Sequence, residues 1–268
     1  QPFEKVKEAT AMAREVGFTS VSHDIIFGLP FQSIEAVENT ILKTKELMPD
    51  RIAFYSYAHV PWIKGNGQRG YSEAHLPSAE TKRTQYQLGK ELLEEMGYIE
   101  IGMDHFALKT DDLYQSLEAK KLHRNFMGYS ASKTQLMIGL GVSSISDSWY
   151  GFAQNSKSIE EYQQRIKEGK LPVFRGHLLN DEDLIIRKHI LNLMCHLETS
   201  LSFQDDFFEL PEVLERLEEI ENDLLIEIQP NSLKVTEKGR PFVRNICMAF
   251  DLRLQRNKPE TRLFSMTV

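Results

Sequence analysis

Titratable side chains stand at three places where an apolar β pattern runs toward its end. Asp24 lies inside "SVSHDIIFGLP", His59 closes "RIAFYSYAHVP", and Asp104 with His105 stands near the end of "YIEIGMDHFA". A carboxylate within an apolar run is costly to bury without a partner, so Asp24 serves either a ligand or a structural ion pair. The histidines suit three tasks: hydrogen bonding to a substrate carboxylate, proton transfer or metal ligation. Each also fits a satisfied structural hydrogen bond at a strand end. Their spacing defines no metal-ligand set. A fourth stretch, "LHRNFMGYS" at residues 122–130, gathers His123, the fork of Arg124, the amide of Asn125 and the flat faces of Phe126 and Tyr129. It reads either as a loop that holds a carboxylate or backbone group, or as one tied to a sheet edge by its own polar groups. No GxSxG, P-loop, HExxH or dinucleotide fingerprint is present, so the residues alone leave the reaction open.

The elements that must position these residues alternate. Phe3, Val6, Met12, Ala13 and Val16 have helical spacing, stopped at Gly17. A strand through Asp24 ends at Gly28 and Pro30, and Ser33 caps a helix through Ile34, Val37, Ile41, Leu42 and Leu47. A second strand ends at Pro61. After the Gly-rich "IKGNGQRGYS", Ser78 caps a third helix that runs to Gly97, and "YIEIGMDHFA" is expected to be the third strand of a parallel sheet. The first helix has no strand before it. The chain therefore reads as an α/β protein containing the back half of a larger barrel, truncated ahead of Gln1, with exposed edges prone to association.

Residues 1–105 are expected to hold the last three strand units and 106–157 a connecting segment. The rest, 158–268, is expected to be a mostly helical, winged-helix-like domain. Within it Asp181 is expected to cap a helix to about Leu197, residues 211–224 form another, and a hairpin turns at Pro230 and Asn231 before a last helix.

Composition narrows the class. The chain has 268 residues, 41% of them hydrophobic and 26% charged, and no apolar run long enough to cross a membrane. A net charge of -7 opposes a sequence-independent nucleic-acid surface, and the acidic "FQDDFFELPEVLERLEEIENDLL" argues against nucleic-acid binding by the winged-helix-like part. The cysteines, Cys195 and Cys247, each sit in an apolar helical pattern and read as buried, reduced residues of a cytoplasmic protein.

In order along the chain, "DIIFGLPFQ", "YAHVP", "IGMDHFA", "LHRNFMGY", "GLGVSSIS" and "FAQN", continuing into "KGRPFVRNICMAFD" and an "FS" at Phe264 and Ser265, resemble the oxygen-independent coproporphyrinogen III oxidases. The resemblance covers essentially the whole chain. It implies a radical S-adenosylmethionine (SAM) enzyme with a partial (β/α)6 barrel and a mostly helical carboxyl-terminal domain. The implied reaction is oxidative decarboxylation of two propionates of coproporphyrinogen III to vinyls, giving protoporphyrinogen IX in anaerobic haem biosynthesis. The implied cofactors are a 4Fe–4S cluster and SAM, expected as two molecules, with an electron donor as partner. The family's CxxxCxxC motif is absent here, so the chain reads as a carboxyl-terminal fragment, inactive alone, with no metal ligands and no catalytic residue of its own. The resemblance places Asp24, Ala58 and Ile145 against SAM. Phe126, Arg124, His59 and His105 become candidates for contacting substrate at the active-site mouth. Met127 stands where the family carries Gln, which removes an amide's donors from that position. The implied protein is cytoplasmic and monomeric, with no nucleic-acid or membrane partner. A haem chaperone of the same superfamily, binding haem without decarboxylating it, is the alternative.

Overall fold

Apolar alternation and helix caps turn into two separately packed units in the computed structural model, which describes residues 1–62, 67–201 and 210–257. The units divide between Ala119 and Lys120. Residues 106–119 thus belong with the sheet of the first unit and 120–157 with the second, so the expected connecting segment is shared between the two.

In the first unit, α1 (Phe3–Glu15) stops before Gly17, whose φ of 95° only glycine adopts cheaply. β1 (Ser22–Phe27) is followed by α2 (Ile34–Leu47), where the Ser33 hydroxyl accepts from the Ala36 N–H. β2 (Arg51–Ser56) is followed, past turns at Gly67–Gly70 and Glu73–His75, by α3 (Ala79–Glu95), capped by Ser78 through the Thr81 N–H. β1 and β2 are parallel, and Ile25, Phe27, Ile52 and Phe54 pack with Val37, Ile41 and Leu93 of the covering helices. Gly89 lets α3 lie directly on the Phe54 ring, since a Cβ there would sit 2.4 Å from Phe54 Cε1.

The expected third parallel strand is a hairpin. β3 (Tyr98–Gly102) and β4 (His105–Leu108) are antiparallel, and β4 inserts beside β2 to give the order β1-β2-β4-β3. Met103, left-handed at φ 52°, turns the chain, and the Asp104 carbonyl accepts from the Phe54 N–H at 2.7 Å. Asp104 therefore sits in a turn, and His105 opens a strand rather than closing one. The sheet does not close on itself among the described residues, which agrees with a partial barrel.

The segment ends with α4 (Asp112–Glu118), capped by Asp111. The Asp111 carboxylate accepts from Arg51 Nε at 2.8 Å on both oxygens, from the Ser20 hydroxyl at 2.8 Å and from the Leu113 N–H at 2.8 Å.

The second unit begins with the hairpin β5 (His123–Asn125) and β6 (Gly128–Ser130). β7 (Leu136–Met137), β8 (Ile145–Ser148) and β9 (Gly151–Asn155) follow, then α5 (Ile159–Lys167) and β10 (Val173–Leu178), completing an antiparallel sheet ordered β10-β9-β8-β7. α6 (Asp181–His196) is capped by Asn180 rather than Asp181, because Asn180 and Asp183 exchange hydrogen bonds as a capping box. β11 (Glu198–Ser200), α7 (Leu210–Asn222), β12 (Ile226–Gln229) and β13 (Ser232–Val235) lead to α8 (Val243–Phe250) and α9 (Leu252–Arg256). The β12–β13 hairpin turns at Pro230 and Asn231 as expected, and β11 flanks β13. Leu193 of α6, Val213 and Leu217 of α7, and Ile246 and Phe250 of α8 are buried. Cys195 and Cys247 are buried and unbridged, their thiols pushed up to about 12 by burial. Phe264 and Ser265 lie outside the described residues, as does part of the acidic stretch before α7.

Asp111→Ala leaves Arg51 without its carboxylate and removes the α4 cap. It is expected to lower stability by about 3–5 kcal/mol in urea unfolding of this chain.

Asp183 gives a pH signature. Arg253 grips its carboxylate at 2.6 and 2.8 Å, with the Asn180 N–H and His177 adding to the hold, and the group is drawn down to about 2. A depressed carboxylate contributes stability above its ordinary pKa and loses it as pH falls toward the folded value. Wild-type stability is therefore expected to fall between about pH 4 and 2, and Asp183→Asn to flatten that limb in denaturation curves measured across the range.

Candidate active-site residues in each unit

In the first unit the sheet has two faces. His23, Ile25 and Phe27 point toward the helices, while Ser22, Asp24 and Ile26 alternate onto the other side and are exposed. The register sets Asp24 opposite Ala53 and Ala53 opposite His105, so the carboxylate and the imidazole share one face, two strands apart. At ordinary strand spacing that separation is about 10 Å. Ala53, small and between them, leaves the row recessed. The Tyr55 ring meets His105 edge-on at 6.0 Å and 84°. Asp24 is not half of a short structural ion pair among the described residues. Its neighbour His23 is structural: Nε2 lies 2.9 Å from the Thr10 hydroxyl, and burial lowers its pKa. Because the Thr10 proton already goes to the Val6 carbonyl at 2.8 Å, His23 donates from Nε2.

Beyond β2 the chain is fixed by Gln68, whose amide donates to the Ala58 carbonyl at 3.0 Å and accepts from the Val60 N–H at 2.6 Å. This clamp leaves the Ala58 side chain exposed. His59 lies inside the same strap, and its two ring nitrogens are buried without a hydrogen-bond partner among the described residues. A buried orphan imidazole is unusual enough to mark a site whose partner is not protein.

In the second unit the "HRNFMGY" stretch is a β-hairpin rather than an irregular loop. Asn125 pairs with Gly128, leaving Phe126 and Met127 alone at the tip. The Asn125 side-chain oxygen accepts the Met127 N–H at 2.9 Å, and Gly128 has φ 136°. The tip holds its two apolar side chains out, 51% and 74% exposed. They border an open cavity of about 370 Å³ whose other walls include Met137, Leu140, Ser144 and Ile145. Gly139 permits the close approach that shapes this wall, since a Cβ there would stand 2.7 Å from the Ile145 carbonyl oxygen. Asn155 donates to the Gly139 and Gly141 carbonyls at 3.1 and 3.0 Å and locks the strap.

Arg124 stacks its guanidinium 4.7 Å from the Tyr129 ring centroid, and the Tyr129 hydroxyl donates to the Met194 carbonyl at 2.8 Å. Its Nη1 is buried and has no partner among the described residues. The rest of the cavity wall was not singled out in the sequence, although the glycines of "GLG" and the Asn of "FAQN" carry its signal. No group of three or more metal-ligating residues occurs among the described residues.

No family model matches the chain. It is 36% identical over 261 residues to the oxygen-independent coproporphyrinogen III oxidase of Helicobacter pylori, covering 95% of this chain and 57% of that protein. It is 38% identical to the enzyme of that name from Escherichia coli, covering 96% of the chain and 57% of the relative, and 36% identical to that of Synechocystis, covering 100% and 59%. A solved structure of the Escherichia coli coproporphyrinogen III oxidase, described as a radical SAM enzyme, superposes with a TM-score of 0.89 at 37% identity over 95% of this chain and 60% of that one. Over almost its whole length the chain is thus similar to oxygen-independent coproporphyrinogen III oxidases. It spans somewhat under two thirds of the length of these relatives. The family's fold, a partial barrel with a mostly helical carboxyl-terminal region, is the one found here. No helix among the described residues is long and apolar enough to cross a membrane.

Gly139→Ala drives a methyl group into the Ile145 backbone. It is expected to cost about 1–3 kcal/mol and to speed amide exchange over residues 139–145 while leaving the first unit's protection unchanged. Hydrogen exchange followed peptide by peptide checks this.

Proposed function

We propose that this chain is part of an enzyme that converts coproporphyrinogen III to protoporphyrinogen IX without oxygen, in anaerobic haem biosynthesis. Each reacting propionate becomes a vinyl with loss of carbon dioxide, one proton and two electrons. The observation that carries the reading is the likeness over 95% or more of the chain to enzymes of that name, at 36–38% identity. SAM together with a 4Fe–4S cluster supplies the one-electron chemistry when bound. The cluster finds no ligands here: the chain has two cysteines, both buried in the second unit and held protonated by burial, so no step is assigned to it on these residues.

The cavity beside Phe126, Met127 and Ile145 suits the apolar and nucleoside parts of SAM in size and character. On the first unit, Asp24 accepts hydrogen bonds from the polar groups of a second molecule, which Ala58 contacts through its exposed side. With Met127 at the hairpin tip, contact there is thioether packing rather than hydrogen bonding.

Arg124 and His59 are assigned to substrate. The stacked, partly buried guanidinium presents an unused N–H to a carboxylate, and the orphan imidazole of His59 offers one more hydrogen bond. Decarboxylation disperses negative charge, so a strong cation on the reacting carboxylate holds it back. Arg124 is therefore placed on a propionate that stays. His105, sharing a face with Asp24, is the candidate for contact nearer the reacting chain.

The test is anaerobic turnover of the full-length polypeptide, cluster-reconstituted, with SAM, a low-potential reductant and coproporphyrinogen III, and with products resolved by chromatography. SAM-dependent protoporphyrinogen IX is expected, and Arg124→Ala is expected to lower kcat/KM by about tenfold or more, the worth of one charge-assisted hydrogen bond. An intact cluster with no conversion, but with stable haem binding, would establish the chaperone instead.

A further inference from the structure

Lys82 stands out among the cations of the first unit. It lies in the first turn of α3, and its side chain is laid across the backbone where β1 ends: a Cβ on Gly28 would meet Lys82 Cε at 3.1 Å and Cδ and Cγ at 3.3 Å. Gly28 has φ 78°, a conformation that strains any other residue, so the lack of a side chain both shapes the turn and leaves the seat for the lysine stem. The seat is specific to three consecutive methylenes, unlike the loose placement of an ordinary surface lysine.

The ammonium makes no hydrogen bond or ion pair among the described residues. Burial pulls its pKa below the usual lysine range, and no neighbouring carboxylate opposes the shift. A half-buried cation without an internal counter-charge is an incomplete arrangement, completed by an anion from outside. Its position supplies the reason. β1 ends at Phe27, and in parallel βα architectures ligands gather beyond the carboxyl ends of the strands. On β1 the exposed Asp24 lies four residues before Gly28.

We propose that Lys82 is a carboxylate-anchoring residue at the exit of β1, holding one propionate of the substrate through its seat on Gly28. This rests on the reaction proposed above. The anchor is a binding and orienting group: it touches a carboxylate that is not lost and moves no proton.

The test uses the full-length protein and coproporphyrin III, the stable oxidised macrocycle with the same four propionates, titrated by fluorescence against wild type, Lys82→Met and Lys82→Arg. Met keeps the stem over Gly28 and removes the charge. Lys82→Met is expected to raise Kd about tenfold and Lys82→Arg to restore most of it, the size of one charge-assisted hydrogen bond. With coproporphyrin III tetramethyl ester, which has no carboxylates, wild type and Lys82→Met are expected to bind alike. Equal binding of the free acid by wild type and Lys82→Met overturns the anchor and leaves the proposed function standing. Equal weakening of acid and ester also overturns it, because the lysine then acts through packing. Failure of wild type to bind coproporphyrin III at all overturns both.

Discussion

A carboxylate with no exposed side-chain surface, Asp111, ties together segments ninety residues apart and sets the geometry of the whole first unit. Its partners are Ser20 just ahead of β1, Arg51 at the start of β2 and the first turn of α4, so both parallel strands are pinned where they begin. Asp50 adds a second fastening at the same end, accepting the Val21 N–H at 2.6 Å and pairing with Arg14. Desolvating a carboxylate is tolerable only when its oxygens are all engaged, and both Asp111 oxygens accept, in four contacts from three donors. The consequence lies at the opposite end. With strand register and origin fixed at that end, Asp24 within β1, His59 beyond β2 and Lys82 of α3, seated over the exit of β1, do not have to hold the sheet together.

The second unit solves the same problem with a cation. Arg187 of α6 donates to Asp147 at 2.8 Å and to the Ser148 carbonyl at 3.0 Å, and stacks within 5.0 Å of both Trp149 and Phe152. One side chain thereby holds the β8–β9 turn against the helix. Asn155 at the other end of β9 then fixes the glycine strap over the cavity. Here too the fastening residues are distinct from those at the cavity mouth, Phe126 and Met127, which stand largely exposed at the hairpin tip.

What was legible in the sequence follows from local physics. Ser33 and Ser78 cap the helices they precede, Gly17 and Gly97 end them, and the polar residues at strand exits sit on one face or in one strap, because these features depend on a few adjacent residues. The misreadings share a different cause. "YIEIGMDHFA" alternates smoothly enough for one strand, and nothing marks Met103 as left-handed, since the turn is stabilised by Phe54 of β2 and Tyr86 of α3, both distant in sequence. "HRNFMGY" hides its hairpin because Phe126 and Met127 are poor turn formers; the turn is bought by the Asn125 side chain and by Gly128. Asn180 displaces Asp181 as the cap because Asp183, three residues on, closes the box. Lys82 was invisible for the plainest reason: a lysine in a first helical turn is ordinary until Gly28 is seen beneath it.

Charge completes the picture. If the proposed reaction holds, a chain of net charge -7 meets a macrocycle bearing four carboxylates and repels it at long range, but screening at physiological salt confines that repulsion to about 8 Å. Binding is then decided by whichever cations meet the carboxylates directly. A desolvated cation interacts more strongly than a solvated one, because the surrounding dielectric is lower, and Arg124 and Lys82 are each partly buried within their own units. The same physics bears on release. In the proposed reaction the substrate carries four carboxylates and the product two, so any anchor acting on both reacting arms would lose its ligand as the chemistry finished. Anchors on the retained arms would instead hold the product as tightly as the substrate. Arg124 and Lys82 are both proposed on arms that stay, so neither loses its ligand when the chemistry finishes, and product release depends on how fast each contact opens. A lysine whose ammonium is already destabilised by burial grips a carboxylate yet remains a single, flexible point charge, whereas a stacked arginine fixes orientation.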